Sequence, residues 1–452
     1  MENSLLMRFL LNASDVAEKA NFKEHRAALL SIADTISVAM ASHSIDARVK
    51  NLKASLLEGT KAKGDAAIFG NKIEKADDIT ALAINSFASH SLELDNWLPL
   101  GMLHPSSSIV PAAILLAQKK DLSLEDVADG IIYGYQLSES LGRWLGRSYY
   151  KIWHTTSTIG GMSVAAMLSW MDENDDERIM NSLLLALTYS GGHMPLINKL
   201  VSIKPVSPMH ASIIGYYSFK MNNAFKGLIR EADGIESKIC ANLSNNCATV
   251  DETWDQESAV SRLGYKIFPA CRNSHTTIQA AIKLSGKVDL NSIESIELEV
   301  FEEAAQVADI RSPTTLEEAM FSLSFLTVTA LAKKWVGFKE IQEALSDNSL
   351  RELEKKVKIR VRDDYTAFFP EKHPITLKVK LKDGGTLEEY EEIPYGDPSH
   401  NISYEAIIEK LRSLSEYSGN KKILKFVNLI LKENIDIKIN ELIEKISTAD
   451  SE

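Results

Sequence analysis

The spacing of apolar residues changes twice along the chain, and this change restricts the possible folds most strongly. In 25–43, apolar residues recur at steps of three and four, the spacing of one buried helix face. In 296–300, 357–362 and 377–382, apolar and charged residues alternate strictly, which predicts half-buried strands. After about residue 402 the helical spacing returns. The pattern therefore predicts a helical protein that carries a smaller mixed insertion.

We predict a mainly α fold with a smaller α+β domain. The large all-helical domain, discontinuous in sequence, would comprise residues 1–265 and 397–452, and the inserted α+β lid domain residues 266–396. Ser123 and Asp126 have the spacing of a capping box at a helix start. Asp383-Gly384-Gly385 is typical of a hairpin turn after the third strand.

Charge and cysteine content exclude several classes of protein. The net charge of −12 repels nucleic acid and anionic membranes, and we see no run of 18 apolar residues that would predict a membrane span. Glu2 and Arg8 make the N-terminus unlike a signal peptide. Three cysteines without a CxxC pair argue against a disulfide framework and against structural zinc. These features favour a soluble protein of the cytoplasm.

The sequence lacks the motifs of several common enzyme sites. It has no GxxxxGK[ST] or strand-linked GxGxxG motif for nucleotides and no GxSxG elbow. The ten histidines include no HxH, HxxxH or HExxH pair, so a histidine-rich metal site is not predicted.

Four segments combine His, Lys, Arg, Ser and Thr with Pro or Gly: 90–108, 153–161, 191–210 and 266–275. Three of them precede helical runs, and helix N-termini favour carboxylates. Lysine and arginine add positive charge, and histidine carries protons near neutral pH. We therefore expect these segments to meet in one positively charged cavity between the two domains. The combination predicts acid/base chemistry on a small di- or tricarboxylate.

Each of these residues also has a plainer explanation. A lone histidine on a helix is usually structural, and Pro105 with its serines can simply begin a helix. Lys204 can be a solvated loop residue. Cys271 beside Arg272 can be a reactive thiolate or an ordinary buried cysteine.

The order of the segments resembles the MmgE/PrpD family, which includes 2-methylcitrate dehydratase, cis-aconitate decarboxylase and iminodisuccinate epimerase. The similar stretches are HSLELDNWLPLGMLHPSSSIVPAAILLAQ, GIIYGYQLSESLGRWLG, WHTTSTIGG, the IKP loop with MHASIIG, KIFPACRNSHTTIQAA, MFSLSFLTVTALA and YGDPSHNISYEAIIEKLRSL. The resemblance extends from about residue 5 to 415. It implies a large helical domain with a smaller lid, a homodimer, and neither a metal nor an organic cofactor.

The resemblance also implies roles for individual residues. The implied catalytic residues are His104, His154, Glu93, Lys204 and Lys266. The implied substrate-binding residues are Ser106, Thr155, Arg272, His275, His210 and Cys271.

The sequence departs from the family pattern at several of these positions. Glu93 stands where the family usually has Asp, and Trp97 stands near a threonine of the decarboxylase. His210 is displaced within its KPxH-like segment, Cys271 replaces a histidine, and Phe325 stands where the decarboxylase branch uses a tyrosine. These departures argue against decarboxylation of cis-aconitate. We predict dehydration of a hydroxy-polycarboxylate such as 2-methylcitrate, with epimerisation, decarboxylation or non-catalytic carboxylate binding as alternatives.

Overall fold

A computed structural model describes residues 4–58, 64–225, 234–244, 247–250, 257–400, 402–432 and 434–448. The N-terminal helices are α1 (Leu5–Glu18), α2 (Phe22–Ile45), α3 (Ala47–Leu57), α4 (Asp78–His90), α5 (Ser106–Lys120), α6 (Leu124–Ile152), α7 (Thr155–Asp172), α8 (Asp176–Thr188), α9 (Met194–Lys199), α10 (Val206–Met221) and α11 (Ile235–Ile239). The central helices are α12 (His275–Ser285), α13 (Glu302–Ala308), α14 (Leu316–Ala319), α15 (Leu323–Lys333), α16 (Phe338–Leu345), α17 (Asn348–Glu354) and α18 (Asp363–Thr366). The last three helices are α19 (Tyr404–Ser418), α20 (Lys422–Lys432) and α21 (Ile439–Ser447).

The strands form two separate sheets. A two-stranded hairpin pairs β1 (Ala66–Phe69) with β2 (Ile73–Ala76). The larger sheet has the order β4-β3-β5-β6, with β3 (Ile293–Val300), β4 (Val357–Val361), β5 (Ile375–Leu381) and β6 (Thr386–Glu391). Strand β3 runs parallel to β4 and antiparallel to β5. The mainly α fold with a smaller α+β part is therefore confirmed.

The alternating pattern produces the larger sheet as expected. Ile296, Leu298 and Val300 are buried on one face. On the other face Glu299 makes ion pairs with Lys378 of β5 and with Arg362, the residue that follows β4. The turn at 382–385 connects β5 to β6, and Gly384 takes the positive φ of 90° that such a turn requires.

The helical predictions hold for most of the first part of the chain. The capping box of Ser123 and Asp126 begins α6, and α7 packs closely on α10 through its small residues. A Cβ on Gly160 would come within 3.2 Å of Ala211. The hairpin β1–β2 corrects the prediction that residues 1–265 are helical throughout; the four residues of β1 are all buried, so no alternation marks the strand. Residues 1–3, 59–63, 226–233, 245–246 and 251–256 of that span lie outside the described part.

The C-terminal helices α19 and α20 return to pack against α2. The domain limits at 265/266 and 396/397 remain a prediction. Among the described residues, α2 alone is long and apolar enough to cross a membrane, but 78% of its most apolar window is buried. That burial is typical of the core helix of a globular fold.

A disulfide between Cys240 and Cys247 corrects the expectation from cysteine spacing. The two cysteines are seven positions apart in the sequence, and their Cα atoms are 5.5 Å apart. The sequence argument excluded a framework of several bridges, but it overlooked a single local one. Cys271 is free and buried.

Candidate active site

The loop between α4 and α5 carries the first group of site residues. Its backbone is joined to a later segment by two hydrogen bonds, Trp97 N to Gly264 O (3.0 Å) and Gly264 N to Trp97 O (2.9 Å). A Cβ on Gly264 would lie 2.1 Å from the Trp97 ring, so this close approach requires glycine. Glu93 has a φ of 51°, a strained value for a residue other than glycine, which often marks functional positions.

Glu93 holds two lysines from distant parts of the chain. Lys204 Nζ lies 2.6 Å from Glu93 Oε1, and Lys266 Nζ lies 2.8 Å from Glu93 Oε2. Lys266 is fully buried and also lies 3.6 Å from Asp95 Oδ1. Burial alone would raise the pKa of Glu93, but Lys204 and Lys266 hold it well below its usual value. Glu93 is therefore a buried carboxylate that anchors both lysines.

His104 is oriented by the same loop. Its Nδ1 lies 3.0 Å from the carbonyl oxygen of Asn96, which can only accept, so Nδ1 carries the proton and Nε2 has the lone pair. Asp95 Oδ2 lies 3.6 Å from Nδ1 and is fixed by His90 at 2.6 Å and Ser107 at 3.1 Å. Burial, assisted by Lys266, lowers the pKa of His104 well below its usual value. The neutral ring is thus arranged to accept a proton at Nε2.

His154 approaches from the start of α7. It is the residue before the first helical residue, Thr155, and its backbone N–H donates to Gly192 O at 2.9 Å. Its buried Nδ1 has no hydrogen-bond partner. Burial, with the nearby charge of Lys204, lowers the pKa of His154 well below its usual value. The backbone N–H of His104 donates to Thr156 at 3.0 Å, which joins the two histidine segments.

Arg272 is held on three sides. Its guanidinium carbon lies 3.4 Å from the centre of the Trp97 ring, a stacked arrangement. Its terminal nitrogens lie 3.3 Å from Asp397 Oδ2 and 3.3 Å from Tyr395 O, while its Nε has no partner. His275 lies behind it, with Nδ1 3.5 Å from an arginine nitrogen.

One small cavity brings the central residues together. It measures about 50 Å³, and its polar lining consists of His104, Tyr150, His154, Asn198, Lys204, Cys271, Arg272 and Asn273. Apolar side chains that include Met102, Ile197 and Phe321 complete the wall. The lining comes from both the helical part and the 266–396 segment. One water molecule needs about 10–15 Å³ of a cavity volume of this kind, so this cavity holds only a few waters and must enlarge to admit a di- or tricarboxylate.

The charge of this cavity corrects the sequence expectation. The lysines, the arginine and the histidines do converge, but each cation already faces a carboxylate: Lys204 and Lys266 face Glu93 and Asp95, and Arg272 faces Asp397. The histidine pKa values are lowered, so His104 and His154 are neutral at physiological pH. The site is therefore close to electrically neutral when empty.

Several implied substrate-binding residues lie away from the cavity wall. Ser106 is buried in the first turn of α5, and Thr155 donates its hydroxyl to Met102 O. His210 lies on α10 against Gly191, where a Cβ would approach its Nε2 to 3.4 Å. His210 is the fifth residue of α10, which begins at Val206. Cys271 lines the cavity, and burial raises the pKa of its thiol, so it is not a ready nucleophile.

Sequence reasoning missed residues that shape the site. Asp95 and His90 lie within a few residues of Glu93 in the same segment. This close spacing of a histidine and two acidic residues could have indicated them as site residues. Asn198, Tyr150 and Phe321 also line the cavity but carry no distinctive sequence pattern. Phe325, at the position compared with the decarboxylase tyrosine, is instead fully buried in α15.

A larger cleft, of about 660 Å³, is lined by different kinds of side chain from the small cavity. Trp335, Phe338 and Tyr417 line it together with Lys339 and Lys410. Its lining within the described part of the chain contains no histidine. We take the smaller cavity as the candidate site, because of these two linings it alone joins histidines to cations.

Comparison with known proteins finds matches over most of the chain. The family model for the MmgE/PrpD N-terminal domain matches residues 15–212, and the one for the MmgE/PrpD C-terminal domain matches residues 268–431. A curated relative, cis-aconitate decarboxylase of Homo sapiens, is 21% identical over 355 residues. That match covers 74% of this chain and 72% of the relative.

Proposed function

The chain belongs to the MmgE/PrpD family, and from this premise we propose that it removes water from a small hydroxy-carboxylate. The family relation supports an enzyme of the dehydratase or decarboxylase type that acts on carboxylates. The observation that supports dehydration best is that His104 and His154 line one cavity with Lys204 and Arg272. Of two proton carriers, one can remove a proton from the carbon next to a carboxylate and the other can protonate the departing hydroxide. The two cations can stabilise the negative charge that develops on the carboxylate.

In the proposed reaction His104 is the base. Its Nε2 takes the proton from the carbon next to a substrate carboxylate, and Asp95 stabilises the imidazolium that forms. The electrons of the broken C–H bond form the double bond while the neighbouring C–O bond breaks. Lys204, which has three N–H donors and shares only some of them with Glu93, stabilises the negative charge that develops on the carboxylate.

In the same step His154 acts as the acid. It enters the reaction as an imidazolium and gives its proton to the departing hydroxide, which leaves as water. His104 ends protonated and His154 neutral, and exchange with solvent restores both. The same removal of a proton, followed by its return to the opposite face, would give the epimerase alternative.

We expect His154 to acquire its proton when the substrate binds. Burial and Lys204 keep the pKa of His154 low in the empty site, so it is neutral at pH 7.5. A bound carboxylate raises that pKa, so binding takes up about one proton and tightens as the pH falls. Calorimetry of citrate binding at pH 7.5 in phosphate and in Tris buffer measures this uptake. A His154→Asn variant should abolish it, and uptake of no proton by the wild type would contradict the role of His154 as acid.

A substrate panel tests the reaction type. Methylcitrate, citrate, isocitrate and malate would be incubated with the chain in deuterium oxide and followed by ultraviolet absorbance and proton NMR. A vinyl signal with a new absorbance supports dehydration, and release of carbon dioxide supports decarboxylation. Exchange with inversion and no vinyl signal supports epimerisation. Tight binding without any of these changes would contradict catalysis.

We also propose a homodimer in the cytoplasm. The helices near the cavity expose apolar residues on their outer side, namely Tyr189, Leu196, Leu200, Ile203, Val206, Tyr217, Met221 and Phe225. Neighbouring exposed apolar side chains of this kind are typical of a surface that is covered in an assembly. The Cys240–Cys247 disulfide is uncommon in reducing compartments, so it does not support the cytoplasmic location.

A further inference from the structure

Two buried charged residues that the proposed mechanism does not use form an ion pair behind the loop between α4 and α5, which we call the site loop (residues 91–105). Asp34 lies on α2 and Lys410 lies on α19, and their side chains are 0% and 4% exposed. Lys410 Nζ lies 2.6 Å from Asp34 Oδ1. No described residue of α19 lines the candidate site, although this helix belongs to one of the stretches that resemble the family.

Lys410 also bonds to the site loop itself. Its Nζ donates to the carbonyl oxygen of Leu94 at 2.6 Å, in the peptide that joins Leu94 to Asp95. Leu94 stands between the two carboxylates of the site, Glu93, which holds both lysines, and Asp95, which faces His104. A movement of this peptide would therefore change the direction of both carboxylates.

A second contact from α2 holds the same loop. Asn96 Nδ2 donates to Ser31 Oγ at 2.7 Å, and Ser31 lies three residues before Asp34, on the same face of α2. The carbonyl oxygen of Asn96 accepts from His104 Nδ1 at 3.0 Å. The contacts at Leu94 and Asn96 thus connect α2 and α19 to the ring of the proposed base.

The backbone of the loop needs support at this point. Glu93 has a φ of 51°, and strained conformations of this kind persist only where surrounding contacts hold them. Stability alone does not account for the ion pair, because two buried charges lose their hydration, and apolar replacements of such a pair are often neutral or stabilising. Burial raises the pKa of Asp34 above its usual value although Lys410 opposes the shift, which reflects the same cost. The buried lysine is better explained by the peptide that it holds.

We propose that Lys410 is a positioning residue, which fixes the peptide between Leu94 and Asp95 so that the loop holds His104 with its proton on Nδ1. Asp34 fixes Lys410 in turn. The proposal rests on the proposed function, in which His104 takes the proton from the substrate. It places no atom of Lys410 in contact with the substrate.

Truncation of Lys410 tests this role. Lys410→Ala removes the donor to Leu94 and leaves space beside the 660 Å³ cleft, which Lys410 and Leu94 both line. We expect kcat of the folded variant to fall by about 10–10²-fold, because a displacement of about 1 Å near the reacting groups can cost that much. KM should change much less than kcat, because Lys410 does not touch the substrate.

Two added cations separate the hydrogen bond from the charge. Propylammonium supplies the three carbons and the ammonium group that the truncation removes, and it can enter from the cleft. It should raise kcat of Lys410→Ala several-fold. Tetramethylammonium carries the same charge but has no N–H donor, so we expect it to leave kcat unchanged. Equal rescue by both cations would contradict the role of the bond to Leu94.

Arg178→Ala is the matched control. Arg178 pairs with Asp172 at 3.2 Å, at the end of α7 opposite to His154. Its kcat should stay within about threefold of the wild type and should not respond to propylammonium. An equal fall of kcat in Arg178→Ala would assign the effect of Lys410→Ala to general destabilisation. Thermal unfolding establishes that each variant is folded at the assay temperature.

Nitrogen NMR of protein labelled at its histidine rings tests the positioning without turnover. The His104 signals are those missing from His104→Asn, and they report which ring nitrogen carries the proton. We expect the proton on Nδ1 in the wild type, a loss of this preference in Lys410→Ala, and its recovery with propylammonium. Should Lys410→Ala not fold, Asp34→Asn with Lys410→Met, which leaves no charge of the pair unpaired, replaces it in both measurements.

The two measurements fail in distinguishable ways. A His104 tautomer that is the same with and without Lys410 would overturn the positioning role. If the wild type converts no substrate of the panel while the tautomer still depends on Lys410, the proposed function fails and the positioning of His104 stands.

Discussion

Replacing His104 by Asn is expected to lower kcat by about 10²–10⁴-fold on whichever substrate the panel identifies. The asparagine Nδ2 can still donate to the carbonyl of Asn96, as His104 Nδ1 does at 3.0 Å. The variant therefore keeps the loop contact and loses only the group that accepts the proton. KM should change little, because the first cavity keeps Lys204 and Arg272.

His25→Asn is the matched control for this variant. His25 lies on α2 and contacts Asp129 at 2.7 Å, away from the cavity. We expect its kcat to stay within about threefold of the wild type, as for most surface substitutions. A His104→Asn variant that is as active as the His25→Asn control would remove His104 from the mechanism.

Replacing Glu93 by Gln is expected to lower the free energy of unfolding by about 3–5 kcal/mol, the usual effect of breaking a buried ion pair. The change keeps the shape of the side chain but leaves Lys204 and Lys266, at 2.6 and 2.8 Å, without their shared carboxylate. Denaturant unfolding at neutral pH measures the loss. Glu343→Gln, which breaks an exposed pair with Lys333, is the matched control and should leave the free energy of unfolding nearly unchanged.

A second substitution separates charge imbalance from lost packing. In the double variant Glu93→Gln with Lys204→Met, Lys266 keeps Asp95 as its remaining carboxylate, at 3.6 Å. The double variant should therefore be less destabilised than the sum of the two single variants. Strict additivity would show that Glu93 does not act as the common partner of the lysines.

The helices and strands that the sequence predicted correctly are those in which one physical requirement, such as burial of one face, determines the order of the residues. Strand β3 was predictable because Ile296, Leu298 and Val300 all face the core. The start of α6 was predictable because Ser123 and Asp126 satisfy the first free N–H groups of the helix. Strand β1 was not predictable in this way, because it is buried on both faces.

The site was predictable in its residue types but not in its charge balance. The segments with His104, His154, Lys204 and Arg272 were identified from composition and order, and the structure brings these four together. Pairings across 173 residues, as between Glu93 and Lys266, and across 125 residues, as between Arg272 and Asp397, leave no local pattern. The near-neutral charge of the site could therefore be recognised only from the structure, which shows these pairings.

The most direct test of the central claim is a crystal structure of the chain with malate. We expect the ligand in the enlarged cavity, with a carboxylate within hydrogen-bond distance of Lys204 and His154 and the carbon next to a carboxylate beside His104. A ligand bound in the cleft of Trp335 and Tyr417, with the cavity between the histidines still closed, would contradict the claim.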